Sequence, residues 1–303
     1  MRVFVTGGSG YIGGSVAAAL RAAGHAVAGL VRSAERASQV RALGIEPILG
    51  TLDDAALLAR ASREADAVIH AANSDHRPSV EAMLPALAGS GKLFLQTSGS
   101  SIVGDQAAGE PSDKVYAEDT ALQPGPGRVA RVAINDMVLA ASRQGVRSVV
   151  LSPSLIYGEG RGLHRESIQV PSMARVAKKY GVARHIGRGE NIWSNVHIDD
   201  LVDLYLRILD KAPAGASYFA ENGENSMRQI CVAVSRALGM DGRTSPMTLQ
   251  EGAAEWGEGA ANYTYGSNSR VRATRARREF GWSPSRPSLL ENIAQDPGLA
   301  AAR

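Results

Sequence analysis

The sequence predicts an α/β fold: a doubly wound parallel sheet with a smaller α-rich lobe. Three observations predict it. A glycine-rich string lies between the first apolar run and the first helical stretch, at the N-terminus. Short, continuous apolar runs then alternate with amphipathic stretches through the first half. The chain also has 303 residues, 44% of them hydrophobic, enough to bury a sizeable core. Strands that are apolar throughout, rather than at every second residue, are buried on both faces, as in a parallel sheet covered by helices.

Taken in order, residues 2–6 (RVFVT) read as a buried strand and 11–24 as a helix closed by Gly24. Residues 26–32 form a second strand, 34–43 a helix, 45–49 a third strand, 54–63 a helix and 67–71 a fourth strand. A helix through Leu87, a strand at 92–97, a helix at 128–144 and a strand at 146–152 complete the alternation. The second half holds helices near 167–180, 199–209, 227–238, 272–280 and 288–293, joined by Gly- and Pro-containing loops. The implied division is a sheet domain at 1–158 with a returning segment near 195–212, and a substrate lobe at 159–194 and 213–303. Residues 104–128, rich in Gly, Pro, Asp and Glu, are long for a connection and are expected to cover the site.

Composition narrows the function. Net charge is +3 and the basic residues are scattered, so no nucleic-acid face is expected. One cysteine, Cys231, rules out an internal disulfide, fits a reducing cytoplasm and reads as a small core residue. No signal peptide and no apolar run of transmembrane length is seen, so a cytoplasmic protein without a membrane partner is expected. No metal ligand set is assigned.

The glycine string is Thr6-Gly7-Gly8-Ser9-Gly10-Tyr11-Ile12-Gly13. Its spacing predicts a Rossmann dinucleotide site. Gly7 turns the chain sharply out of the strand, Gly10 admits a pyrophosphate to the backbone, and Gly13 lets the helix pack closely. Free N–H groups at the helix start face the phosphates. Arg32-Ser33 ends the second strand, where an acid would accept the ribose hydroxyls of NAD. A guanidinium there suits a 2′-phosphate, with Arg36 one turn further on, so NADP is the expected cofactor and NAD the less favoured one. Asp53, after Leu52, is a candidate acceptor for the adenine amino group, a helix N-cap being its other reading. Ala71, Ala72 and Asn73 end the fourth strand, where small residues let the backbone pass close to the cofactor. His70 reads as a packed strand residue.

Together these segments resemble the extended short-chain dehydrogenase/reductase superfamily, the NAD-dependent epimerase/dehydratase group. Residues 6–13 resemble its TGxxGxxG, residues 151–158 (LSPSLIYG) its RPxxVYG, residues 195–201 (NVHIDDL) its VHVxDL, and residues 280–284 (FGWSP) its LGWxP. The resemblance places Thr97, Pro153 and Leu155 beside the cofactor as well. It also implies a catalytic Ser and a YxxxK pair, and here the sequence departs. Gly99 falls at the Ser, flanked by Ser98 and Ser100; Gly127 falls at the Tyr and Arg131 at the Lys, and no YxxxK string occurs elsewhere. This resembles the superfamily's atypical subgroups.

An arginine does not act as an acid near neutrality, but Arg131 supplies a fixed charge for an oxyanion or the nicotinamide ribose. Ser98 is a candidate for holding a substrate carbonyl. Tyr157, Tyr116, His164 and Asp105 are candidate proton donors. Ser100, His164 and Trp193 are candidate substrate residues, His197 and Asp199 read as structural, and Arg161, Arg165, Arg184 and Arg188 are further candidates for an anionic substrate. The expected function is an NADP(H)-dependent oxidoreductase acting on a small carbonyl or alcohol. A catalytically inert NADP-binding regulatory protein and a sugar-nucleotide epimerase or dehydratase are the alternatives. A small-molecule substrate is the expected partner; a homodimer is compatible with the sequence.

Overall fold

The computed structural model describes residues 1–300. Its centre is a seven-stranded sheet in which every pairing is parallel. The strands are β1 (Arg2–Thr6), β2 (Ala26–Val31), β3 (Glu46–Leu49), β4 (Ala67–His70), β5 (Leu93–Thr97), β6 (Arg147–Pro153) and a seventh, Ala216–Ala220. Their order is seventh–β6–β5–β4–β1–β2–β3, so the direction of winding reverses between β1 and β4. Ligands of such sheets bind outside the strand C-termini at that switch point.

Adjacent strand residues serve opposite faces, and both faces are apolar. Val3, Val5, Ile69, Leu95, Val149 and Leu151 join one core with α1 (Tyr11–Ala22). Phe4, Val68, Phe94 and Val150 join the other, with Leu58 of α2 (Ala55–Glu64), Val80 and Met83 of α3 (Arg77–Ala86), and Ile134 and Val138 of α4 (Val129–Ala140). His70 is buried, as expected of a packed strand residue. The Thr6 hydroxyl lies 2.6 Å from its Nδ1 and the Ser79 hydroxyl 3.1 Å from its Nε2. Burial, aided by the nearby charge of His76, pulls its pKa down to about 4.

The chain reaches the seventh strand through α5 (Ile198–Lys211), whose Leu201, Leu204, Tyr205 and Ile208 are buried against the sheet. That strand falls at 216–220, inside the range assigned above to the lobe. Residues 273–282 also return to the sheet: Ala273, Ala276, Phe280 and Trp282 join its core. Asp200 ties this return down. Its carboxylate accepts from the Ser285 and Arg286 backbone N–H groups, and its carbonyl accepts from the Trp282 indole.

The lobe has its own core around Met173, Val176, Trp193, Ile230, Cys231 and Leu289. It is less purely helical than the sequence suggests. A three-stranded sheet joins Leu155–Tyr157, Ile192–His197 and Glu224–Ser226, and Ala183–Ile186 pairs with Thr244–Met247. A helix at Leu249–Trp256 is also present. Among the described residues no helix is long and apolar enough to cross a membrane.

Candidate active site

A cleft of about 1220 Å³ runs along the C-terminal ends of the strands and is closed on one side by the lobe. Gly7, Ser9, Gly10, Tyr11, Ile12 and Gly13 line its floor. Gly7 has φ +75°, and a Cβ there would stand 2.9 Å from the Ala71 carbonyl oxygen. A Cβ on Gly13 would run into the Gly7 carbonyl oxygen. The glycines therefore hold α1 against the ends of β1 and β4. Gly10 caps α1 without a side chain, and no acid lies in its first turn. The dipole end of α1 is left open to an anion, so these residues fit a dinucleotide.

Arg32 and Arg36 line the cleft beyond β2, and both are exposed. Leu52, Asp53, Ala71, Ala72 and Asn73 line it further in. The N-cap considered for Asp53 belongs to its neighbour: the Asp54 side chain accepts from Leu57 N–H, while Asp53 lies 3.2 Å from His76 Nε2. Ser33 does not line the cleft; its hydroxyl caps the following helix, accepting from Arg36 N–H.

At the β5 and β6 end stand Thr97, Ser98, Gly99, Ser100, Ser101, Arg128, Arg131 and Pro153. Thr97 turns its hydroxyl to Tyr205, 2.6 Å away. Ser98 Oγ accepts from Asn135 Nδ2 at 3.0 Å, leaving its own proton to give. Asn135 is one turn beyond Arg131 on α4 and went unnoticed in the sequence. Arg131 faces the cleft as its spacing from Gly127 implies. Its Nε donates to Asp75 at 2.7 Å, its second nitrogen pairs with the other Asp75 oxygen, and its third donates to Ser101 Oγ at 3.1 Å. This hydrogen bonding holds the Asp75 carboxyl below the usual carboxylate range.

Two expected site residues lie elsewhere. The strand Leu155–Tyr157 alternates, so Ile156 faces the cleft while Leu155 and Tyr157 face the lobe core. Leu155 is fully buried there, and the Tyr157 hydroxyl donates to the Pro287 carbonyl at 2.8 Å. Burial raises the Tyr157 pKa, which further disfavours it as an acid–base group. Of the other candidate donors, Asp105 accepts from Asn268 N–H and its side-chain amide, and Tyr116 pairs by backbone with Arg270 and Arg272. Only His164 lines the cleft, exposed at its lobe side. Ser100 and Trp193 also line it; Ser100 Oγ lies 2.7 Å from Ser269 Oγ, and the Trp193 indole donates to the Ser267 carbonyl. His197 caps α5, accepting from Asp199 N–H, a structural role.

Residues 104–127 supply no lining to the cleft, so of the 104–128 segment expected to cover it only Arg128 reaches it. Backbone pairing draws them away: Gly109 joins Gly266, Glu190 and Asn191, and Tyr116 joins Arg270 and Arg272. The lobe's Gly259, Ala260 and Thr264 line the cleft instead, Thr264 from within a π-helical turn at Ala261–Tyr265. Next in that turn, Tyr263 does what no local signal announces. Its hydroxyl accepts from Gly127 N–H at 2.8 Å, and a Cβ on Gly127 would stand 2.6 Å from its ring. The tyrosine ring thus fills the space that a side chain at 127 would need.

Comparison with known proteins agrees with this architecture. The chain is 31% identical to an oxidase from Acremonium sp, over 96% of this chain and 95% of that one. It is 28% identical to a 4-hydroxy-2-methyl-3-oxo-4-farnesyl-3,4-dihydroquinoline-1-oxide ketoreductase from Stigmatella aurantiaca, over 93% and 92%. Its fold is similar to that of dTDP-glucose 4,6-dehydratase from Bacillus anthracis, solved with NAD, with a TM-score of 0.78 at 17% identity, covering 99% of this chain and 96% of that one. The family model described as "NAD dependent epimerase/dehydratase family" matches residues 3–220. The chain belongs to the NAD dependent epimerase/dehydratase family.

Proposed function

We propose that this chain is an NADP(H)-dependent oxidoreductase of the atypical extended short-chain dehydrogenase type, acting on a small carbonyl or alcohol compound. The full-length likeness to an oxidase and a ketoreductase supports the oxidoreductase class. The observation that carries the cofactor choice is the pair Arg32 and Arg36 on the cleft beyond β2. The glycine turn at Gly7–Gly13 would hold the pyrophosphate, Arg32 and Arg36 the 2′-phosphate, and Asp53 and Leu52 the adenine side. When bound, the nicotinamide supplies or takes a hydride.

At the other end of the cleft the Ser98 hydroxyl, oriented by Asn135, donates to the substrate oxygen. Beside it the Arg131 guanidinium, its charge offset by Asp75, holds the Ser101 hydroxyl and shapes this end of the cleft. The Gly127 position has no side chain, so no tyrosine protonates the substrate from the start of α4. The proton comes from His164 or from water.

NADPH is expected to bind at least about tenfold tighter than NADH, a difference of about 1.4 kcal/mol, and Arg32→Asp to reverse the order. Calorimetric titration giving equal affinities in the native protein would remove the NADP reading.

A further inference from the structure

We propose that Arg128 is the substrate-anion receptor of this cleft, reading a carboxylate on the carbonyl or alcohol substrate, and that Tyr263 is its positioning residue. The inference rests on the oxidoreductase reading above and names the substrate class of that same site.

The cleft's arginines fall at its two ends. Arg32 and Arg36 lie beyond β2, while Arg128 and Arg131 lie beyond β5. Three strand steps separate β2 from β5 in the sheet, about 14 Å at the usual spacing. Arg128 is therefore set apart from the pair assigned to the cofactor phosphate and stands with Ser98, at the end where a substrate oxygen is held. Arg131 is spent on Asp75.

Arg128 is not spent. Its Nε is buried with no hydrogen-bond partner, and one terminal nitrogen reaches only the neighbouring Gly127 carbonyl at 3.3 Å. Among the described residues it forms no ion pair. The lobe arginines considered as anion receptors differ: Arg161 pairs with Asp199, Arg165 with Glu159, Arg184 with Glu251, and Arg188 with Glu110 and Glu190. None of those four lines the cleft. Burial, and then the charge of Arg131, hold the Arg128 pKa below its usual value; Asp75 and Tyr263 oppose this. A half-buried cation without a counter-ion is costly, and a ligand anion offsets that cost.

Tyr263 explains why the guanidinium stays put. Its ring centroid lies 4.5 Å from the Arg128 guanidinium carbon, a cation–π contact that fixes the planar fork. The ring reaches that place because residue 127 is glycine. Where a tyrosine of the YxxxK kind would stand, this chain has a platform carrying a cation. With Nε closed off, the two terminal nitrogens are what the fork offers, and their one uncompensated charge matches a monoanionic carboxylate held side by side across them. A phosphate dianion would leave charge unmet, since Arg131 is already neutralised.

The test titrates benzoate, benzamide and inorganic phosphate into the full chain by calorimetry, with and without saturating NADPH. The native protein should bind benzoate at least about tenfold tighter than benzamide, the scale of one charge-assisted pair. Arg128→Gln should abolish the preference and Arg128→Lys keep part of it. Tyr263→Phe, which retains the ring, should preserve it, and Tyr263→Leu should weaken it. NADPH affinity should stay within about twofold of native throughout, because Arg128 lies away from the phosphate arginines. Equal binding of benzoate and benzamide, or a benzoate preference surviving Arg128→Gln in a folded variant, overturns the proposal. Phosphate bound tighter than benzoate, and lost in Arg128→Gln, overturns the carboxylate assignment. Failure to bind NADPH refutes the cofactor reading, while the titrations without NADPH still judge Arg128.

Discussion

His70 shows how one buried side chain couples this fold to pH. Thr6 Oγ accepts from Ala71 N–H, so its proton goes to His70 Nδ1. The Ser79 hydroxyl donates to the His76 carbonyl, so Ser79 Oγ accepts from His70 Nε2–H. Each hydrogen bond is satisfied with the ring neutral, and burial lowers its pKa from 6.5 to about 4. The sign follows from proton uptake. Between those values the unfolded chain holds a proton that the native chain does not, so stability falls as pH falls through the window. The loss approaches about 1.4 kcal/mol per pH unit for one such group. Urea unfolding between pH 6.5 and 4.5 should therefore show a steep native slope and a shallower one in His70→Gln. Matching slopes would assign the acid sensitivity to His185 and His197, whose pKa values burial also lowers. At this scale legibility depended on distance along the chain. The glycine string is contiguous and its roles could be read directly. The partner of Arg131 is 56 residues away and that of Gly127 is 136 away, and no spacing rule links such pairs.

The start of α4 is set by an element from the far half of the chain. Gly125, Pro126 and Gly127 form a tight turn under which the Tyr263 ring inserts. Gly127→Ala should drive a methyl into that ring and cost about 1–3 kcal/mol, the usual scale for overpacking. In a Tyr263→Ala background the same substitution should cost far less, because the opposing atoms are gone. Chemical denaturation of the four proteins measures the coupling; costs that simply add would mean that Tyr263 does not occupy this space. The lobe strands were illegible for a different reason. Glu224–Ser226 (ENS) and Thr244–Met247 (TSPM) are short, polar and without period-two patterning. Only their partners make them strands. The helices around them carried regular apolar spacing, and the sequence placed all five of those it named.

At the scale of the whole molecule, sheet and lobe share one chain that crosses between them repeatedly. In sequence the sheet domain reads as residues 1–158 with a return near 195–212. The return extends further, through the seventh strand and residues 273–282. Ala216–Ala220 covers the outer edge of β6, pairing Val149 to Pro153. Leu201, Leu204, Tyr205, Ile208, Tyr218 and Trp282, all at most 2% exposed, complete one face of the sheet. At about 2 kcal/mol for each buried side chain, these six contribute on the order of 12 kcal/mol. That equals the net stability of a typical domain, about 5–15 kcal/mol. A fragment of residues 1–158 would expose the part of one sheet face that α5 and residues 273–282 cover, and a bare β6 edge, an invitation to aggregation. It should lack a cooperative thermal transition and should not bind NADPH, although it contains the whole glycine turn. The full chain should unfold with its Rossmann core and residues 216–282 lost together. Circular dichroism melts of the fragment, and native-state hydrogen exchange of the full chain, measure this. A cooperative melt in the fragment, or exchange of 216–220 at far lower free energy than β6, would show that the return is an accessory rather than part of the core.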